Sequence, residues 1–415
     1  MPAVFLNLRG VGDESHLSQP LPPAPLASRS ELYCCTTVPT RQELLAAAQR
    51  LHAHLLRLHY SGGLVHGPDA GIRFNLRLWR FWKSALDFIP WKDDYVFIQS
   101  QGYWILANWM LHEATGEPRY RDIAIEATET TLLLQQPQGY WIYPLPERKR
   151  LIATVEGDWG AIGLLTTYAH EPRPHFLAGA VKWYDYLVGT IGFQEHGRGK
   201  AINYFDKPRG KIPNNSVEAI WLFLRLWQAT GEARFIGHVD AMLDFLGSVQ
   251  LPRGELPYIV EGPYERGRTH YLCYQYNAFE FLKLAWSHAL RPDHRTSGIL
   301  APLASFLSKG VTATGASAAD CSHRMPETDY YTAVLAAALW EAAEQKLVKN
   351  TEPSTRCYAR LLARQRPDGS FAYTTGDYAL LRDTRSYPRP QVMTLFHLLY
   401  PLVPAWKTSD PVSAS

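Results

Sequence analysis

Three nine-residue segments share one pattern. Residues 135–143 read QQPQGYWIY, 250–258 read QLPRGELPY and 365–373 read QRPDGSFAY, so Gln-x-Pro-x-Gly-x-(Trp/Leu/Phe)-x-Tyr recurs every 115 residues. Self-similarity at a fixed period means that one supersecondary unit is repeated along the chain. A second echo keeps the same interval, because ATGE at 114–117 returns at 229–232. Each ATGE follows a long apolar segment, YVFIQSQGYWILANWMLHE or NNSVEAIWLFLRLWQ, of helical length and periodicity. Glycine after such a run is a helix stop. Weaker copies fall between the strong ones: Gly197 and Gly199 between Gly139 and Gly254, and Gly315 between Gly254 and Gly369. The unit is therefore roughly 57 residues long: helix, short turn, helix, Gly-turn and a longer loop.

Twelve helices are expected, near 41–59, 95–113, 117–135, 158–169, 173–190, 214–229, 233–249, 271–288, 294–308, 328–345, 353–365 and 387–402. No substantial sheet is expected, only short strands after the Gly-turns, as in YWIYP and SFAYT. The helices after the Gly-turns are apolar almost all round, whereas their partners, such as PRYRDIAIEATETTLLLQ, are amphipathic. An inner and an outer ring follow. The fold class is all-α, an (α/α)6 toroid of six helical hairpins over residues 41–408. Residues 1–40, rich in Pro and Ser, read as a flexible arm, and 409–415 as a flexible tail.

The repeated turn is similar to that of the α/α-toroid superfamilies. QRPDGSF resembles the QW-type repeats of the terpenoid cyclases and prenyltransferase subunits. PNNSVEAIWLFLRLWQATGE resembles the Asn-led inner helix and Thr-Gly turn of the glucuronyl epimerase helical domain, among the six-hairpin carbohydrate enzymes. The resemblance covers nearly the whole chain after residue 40. It speaks to fold, because the turn is a structural device. The β-rich N-terminal region of the epimerases has no counterpart here.

In such a toroid the six long loops open at one end around a funnel. The segments entering the inner helices are WKDDY (91–95), VEGDW (155–159), PNNS (213–216), THYLCYQYN (269–277), PETDYY (326–331) and RSYPRP (385–390). Two share a form: Glu156-Gly157-Asp158 and Glu327-Thr328-Asp329 are both Glu-x-Asp, 171 residues or three periods apart. Half a ring separates them, so they are expected to face each other as an acid/base pair, or to cap their helices. The catalytic candidates are Glu156, Asp158, Glu327, Asp329, Tyr330 and Tyr331. The binding candidates are Asp94, Trp159, Asn214, Asn215, His270, Tyr271, Tyr274, Gln275, Arg385, Tyr387 and Arg389, the arginines because their forks suit a carboxylate or phosphate. The loop charges Arg148-Lys149-Arg150, Lys207, Arg209, Lys211, Arg266 and Arg268 would focus an anionic ligand there.

Other classes are excluded or unsupported. A net charge of +3 gives no nucleic-acid footprint. No run of 18 apolar residues and no signal peptide appear, and the five cysteines form no disulfide framework, so a cytoplasmic location is expected. Without a P-loop, nucleophile elbow, His-Glu-x-x-His or dinucleotide fingerprint, no cofactor is expected. No metal is expected either: Cys273, Cys321 and His270 lie near the funnel, but not with a zinc-site spacing.

Three functions remain. The first is a non-redox carbohydrate-active enzyme (epimerase, lyase or hydrolase) acting on an acidic, uronic-acid-containing small molecule or oligosaccharide. The second is a class II type terpenoid cyclase with Asp94, Asp158 or Asp329 as its acid; the 13% aromatic content suits its cations. The third is a non-catalytic binding toroid.

Overall fold

The computed structural model describes residues 38–70, 86, 93–145, 151–263, 265–318, 320–321, 328–377 and 381–403. The expected arm and tail fall almost wholly outside them. Twelve α-helices lie among the described residues: α1 (Arg41–Leu58), α2 (Ile98–Thr115), α3 (Pro118–Leu133), α4 (Thr154–His170), α5 (Pro174–Tyr186), α6 (Pro213–Thr230), α7 (Val239–Val249), α8 (Cys273–Leu290), α9 (His294–Leu307), α10 (Asp329–Glu344), α11 (Glu352–Arg364) and α12 (Pro388–Leu399). Each matches an expected helix. The helix expected over 173–190 ends in a π-turn at Leu187–Ile191, and that over 233–249 opens with a 3-10 turn at Ala233–Ile236.

The described strands form three two-stranded hairpins: β1 (Tyr60–Ser61) with β2 (Leu64–Val65), β3 (Phe193–His196) with β4 (Gly199–Ile202), and β5 (Thr374–Asp377) with β6 (Leu381–Asp383). YWIYP is not a strand, and SFAYT contributes only Thr374.

Helices α2, α4, α6, α8, α10 and α12 each pack on the next, and α12 returns to α2. Outside them α3 packs on α2, α5 on α4, α7 on α6, α9 on α8, α11 on α10 and α1 on α12. The molecule is an (α/α)6 toroid whose sixth hairpin joins the first helix to the last. Burial follows the two rings. In α2 every residue from Ser100 to Leu111 is buried, whereas α11 buries one stripe, from Ser354 to Leu361.

The repeated turn ties the outer ring together. Gln135 Nε2 donates to the carbonyls of Gly139 and Gly179, at 2.8 and 2.9 Å. Gln250 Nε2 does the same to Gly254 and Ile299, at 2.8 and 2.9 Å, and Gln365 Nε2 to Gly369 and Ala47, at 3.0 and 2.8 Å. Each glutamine thus closes its own turn and grips the next outer helix. The turn glycine touches that helix too: a Cβ on Gly139, Gly254 or Gly369 would collide with the carbonyl of Lys182, Pro302 or Arg50. Gly63, Gly199 and Gly315 press on α3, α7 and α11, against the Thr130 side chain, the Phe245 backbone N–H and the Arg356 carbonyl, which completes six contacts.

Beyond three of the turns, an inner-helix amide fixes the loop. Gln101 exchanges two hydrogen bonds with the Val65 backbone (2.9 and 2.6 Å), Asn277 with Leu256 (2.7 and 3.1 Å) and Gln391 with Phe371 (3.1 and 2.6 Å). No described helix is long and apolar enough to cross a membrane.

Candidate active site

Every hairpin runs inner helix first, so all six inner helices begin at one end of the barrel, where the long loops gather. Arg389, second residue of α12, organises one side of this mouth. Its Nε lies 2.7 Å from Asp69 Oδ2, and its guanidinium lies 4.5 Å from the Phe97 ring centre. Tyr143, Glu156 and Tyr330 are within its electrostatic reach. Its side chain is 31% exposed, and no described residue hydrogen-bonds its terminal nitrogens.

Glu156, third residue of α4, is 1% exposed. Its Oε2 accepts the Gln99 N–H at 2.9 Å, which caps α2, whose own N-cap residue Phe97 supplies no side-chain bond. Burial pushes the Glu156 carboxyl up to about 7, against the pull of the α2 N–H groups and Arg389. A carboxyl poised there can give or take a proton near neutrality.

Tyrosines pave the rest of the mouth. Tyr330 and Tyr331 meet at 4.4 Å between ring centres, and Gln275 Nε2 donates to the Tyr330 hydroxyl at 3.2 Å. Tyr258 packs 4.8 Å from both Tyr271 and Tyr276, and Arg268 lies over Tyr271 at 3.9 Å. Tyr143 packs edge-on against Phe97 and Phe205. Burial holds the phenols of Tyr276, Tyr330 and Tyr331 well above their ordinary range, so they stay protonated donors. Buried amides add unmet capacity: Asn215, 1% exposed, has no partner for either amide atom, and Gln275 Oε1 and Asn214 Oδ1 also lack one. Asn215, Gln275 and Tyr331 are each the third residue of an inner helix, as Glu156 is.

Of the expected site residues, Glu156, Tyr330, Tyr331, Tyr271, Gln275 and Arg389 meet at the mouth, and Asn214 and Asn215 open α6 at the same end. Several others do not. Two helical residues turn the side chain by about 200°, so Glu156 and Asp158 cannot share a face of α4. Asp158 accordingly faces α5, where Oδ1 accepts Trp183 Nε1 at 2.8 Å, and it caps nothing, since Ala153 holds the N-cap position. Asp329 opens α10 beside the N-cap residue Thr328 and is paired to Arg364 of α11 at 2.5 Å. Glu327 lies outside the described residues, as do Arg148, Lys149 and Arg150. Tyr274 stacks on Phe306 of α9, 4.8 Å away. Tyr387 is fully buried and donates to Asp383 Oδ2 at 2.8 Å; Arg385 is tied to Asp383 Oδ1 and the Leu86 carbonyl. The salt bridges of Arg385 and Arg389 among the described residues go to Asp383 and Asp69. Asp94 sits on the surface, 65% exposed, 2.6 Å from His66 Nδ1. His270 turns towards Cys321.

The missed residues carried a signal in plain view. Tyr143, Tyr258 and Tyr373 are the last residues of the three repeat copies. The pattern that marks the turn also delivers a tyrosine to the mouth from alternate hairpins.

Deeper in the barrel the axis is filled. Trp159 stacks on Tyr103 at 3.7 Å and donates to Glu218 Oε1 at 2.9 Å, so it is a core residue. Glu218 pairs with Lys283 at 2.7 Å, both side chains 2% exposed. Burial holds Glu280, which feels both, well above the carboxylate range. At the opposite end Glu113, His170 and Arg225 line a cavity of only 10 Å³, about one water.

No protein-family profile matches the sequence, and neither does any curated protein. Solved structures do match in fold. A possible member of the GH105 family from Salmonella enterica aligns over 88% of this chain and 95% of its own, with a TM-score of 0.66 and 13% identity. Cellobiose 2-epimerase from Bacillus thermoamylovorans aligns over 87% and 100%, with a TM-score of 0.68 and 10% identity. A glycosyl hydrolase family 88 protein from Bacteroides vulgatus aligns over 88% and 99%, with a TM-score of 0.61 and 11% identity. At such identities the likeness is one of fold.

Proposed function

We propose that the chain is a carbohydrate-active enzyme that transfers protons on an acidic, uronic-acid-containing glycan or glycoconjugate, as an epimerase or lyase. The observation that carries this is Arg389, with open terminal nitrogens, in electrostatic reach of Glu156 at a tyrosine-lined mouth. Glu156 removes the proton next to the uronate carboxylate. Arg389 binds that carboxylate and stabilises the charge that develops on it. Tyr330 or Tyr331 returns a proton, either to the same carbon from the other face or to the departing oxygen. The first outcome is epimerisation and the second is elimination. Ring faces of Tyr258, Tyr271 and Tyr276 suit the C–H face of a sugar, and their hydroxyls suit its rim.

Hydrolysis by paired carboxylates has less support, because Asp158 and Asp329 are engaged with Trp183 and Arg364. Cyclisation of an isoprenoid needs an apolar chamber, and here Trp159, Tyr103 and the Lys283–Glu218 pair occupy the axis.

The test is incubation with a panel of uronate oligosaccharides in deuterium oxide. Deuterium next to the carboxylate, or an unsaturated uronate, is expected, with loss of either in Glu156→Gln. No exchange and no unsaturated product on any uronate, together with thermal stabilisation by prenyl diphosphates alone, would return the chain to the cyclase reading.

A further inference from the structure

A second cluster lies at the rim, between the loop that carries Tyr258 and the start of α8. We infer that His270, Cys273 and Cys321, with the carboxylate of Glu255, form a structural zinc(II) site. It is independent of the acid–base reading above.

The three ligand atoms of His270, Cys273 and Cys321 already lie within 4.8 Å of one another. Cys321 Sγ is 3.2 Å from His270 Nδ1, and the Cys321 N–H donates to Cys273 Sγ at 3.1 Å. The fold brings these residues together across 51 positions of sequence, which is why no compact motif announces them.

The fourth residue is the independent observation. Glu255 is 0% exposed, its Oε2 has no hydrogen-bond partner, and its Oε1 lies 3.9 Å from His270 Nδ1. A buried carboxylate without enough donors is costly unless a cation compensates it. Arg253 compensates only one side: its Nε is 3.1 Å from Glu255 Oε1, and its Nη2 is 3.0 Å from His270 Nε2.

The donor set selects the metal. Two thiolates and one imidazole, with a carboxylate beside the imidazole, suit zinc, and a fourth protein ligand would make the site closed and structural. Binding exchanges protons for metal: Zn²⁺ takes both sulfurs as thiolates and two protons leave to solvent. The His270 proton passes from Nδ1 to Nε2 as Nδ1 takes the metal, so Arg253 releases Nε2 and keeps Glu255. Zinc with two thiolates and a carboxylate carries one negative charge, and Arg253 neutralises it. The metal would then staple the loops of Tyr258 and Cys321 to α8, next to Tyr271.

The test is metal content by mass spectrometry, after incubation of the full chain with zinc chloride under reducing conditions and desalting. About one zinc per chain is expected, retained in Cys357→Ser and lost in both Cys321→Ser and Glu255→Gln. Cobalt chloride in place of zinc should give the intense visible bands and thiolate charge transfer of a tetrahedral site. Chelation should lower the melting temperature of the wild type but not of Cys321→Ser. If Cys321→Ser fails to fold, the cobalt spectrum of the wild type decides. A wild type that takes up no zinc or cobalt, or a Cys273–Cys321 disulfide in the non-reduced protein, overturns the assignment.

Discussion

Gln365 donates its side-chain N–H to the carbonyl of Ala47 at 2.8 Å, although the two residues are 318 positions apart. Gln135 and Gln250 make the same bond to helices less than 50 residues away, to Gly179 and Ile299. The third copy of the repeat therefore does locally what the others do, and globally it closes the ring.

Gly369 makes the same closure testable. It holds φ at +88°, and a Cβ there would strike the Arg50 carbonyl. Gly62 also has positive φ, +57°, but nothing lies within 4 Å of its Cβ position. Left-handed strain alone costs about 1–2 kcal/mol. Gly62→Ala is expected to lose about that much, and Gly369→Ala about 2 kcal/mol more, because backbone must shift. Denaturant unfolding of the two variants checks this; equal losses would mean that the turn does not press on α1.

The ring was legible because its cause is periodic. A helix apolar all round can only be interior, and the Gln and Gly of the turn recur for one contact repeated. The site was less legible because side-chain direction is set by helix phase. Glu156 and Asp158 look alike in sequence, yet about 200° of rotation sends one to the mouth and the other to Trp183. The mouth tyrosines were hidden by their own regularity: Tyr143, Tyr258 and Tyr373 read as part of a turn. The zinc ligands were hidden by distance along the chain, since Cys273 and Cys321 meet only once two hairpins are packed.

The buried pair Lys283–Glu218 sits where neither charge reaches water. Lys283→Met strands Glu218 and removes a cation that Glu280 feels. A loss of about 3–5 kcal/mol is expected. Glu218→Gln added to that variant should recover part of it, because the orphaned charge goes with the substitution. Melting curves of the single and double variants decide; a double variant no more stable than Lys283→Met removes the pair from the account.

Glu156 links stability to pH. Its folded pKa, about 7, lies above the ordinary 4.5. The folded chain therefore holds a proton that the unfolded chain has lost, so this contribution is complete below pH 4.5, declines as pH rises and is gone above about 7. Glu156→Gln cannot ionise and keeps an acceptor for the Gln99 N–H. It should match the wild type in acid and exceed it in mild alkali by up to about 3 kcal/mol, while activity is lost. In the wild type the base form, and with it the rate, should grow as pH rises through about 7. Melts on either side of that window check the first claim, and a pH–rate profile the second. A Glu156→Gln variant less stable than the wild type at every pH would make Glu156 a helix cap only.

Arg389 has two duties that substitution can separate. Through Nε it neutralises Asp69, whose side chain is 3% exposed; through its terminal nitrogens it is assigned the substrate carboxylate. Lysine keeps the charge but has no planar fork. Arg389→Lys is therefore expected to leave the melting temperature nearly unchanged while kcat/KM on uronates falls roughly 10–100-fold, the worth of a charged hydrogen bond of about 1.5–3 kcal/mol. A fall carried by kcat would assign the fork to the transition state, and one carried by KM to substrate binding. Arg389→Met should also unfold more easily, by about 3 kcal/mol or more, because the buried Asp69 carboxylate loses the guanidinium beside it. Asp69→Asn in that background should restore folding without restoring activity. Restoration of both, or an Arg389→Lys enzyme as active as the wild type, would leave Arg389 with the structural duty alone.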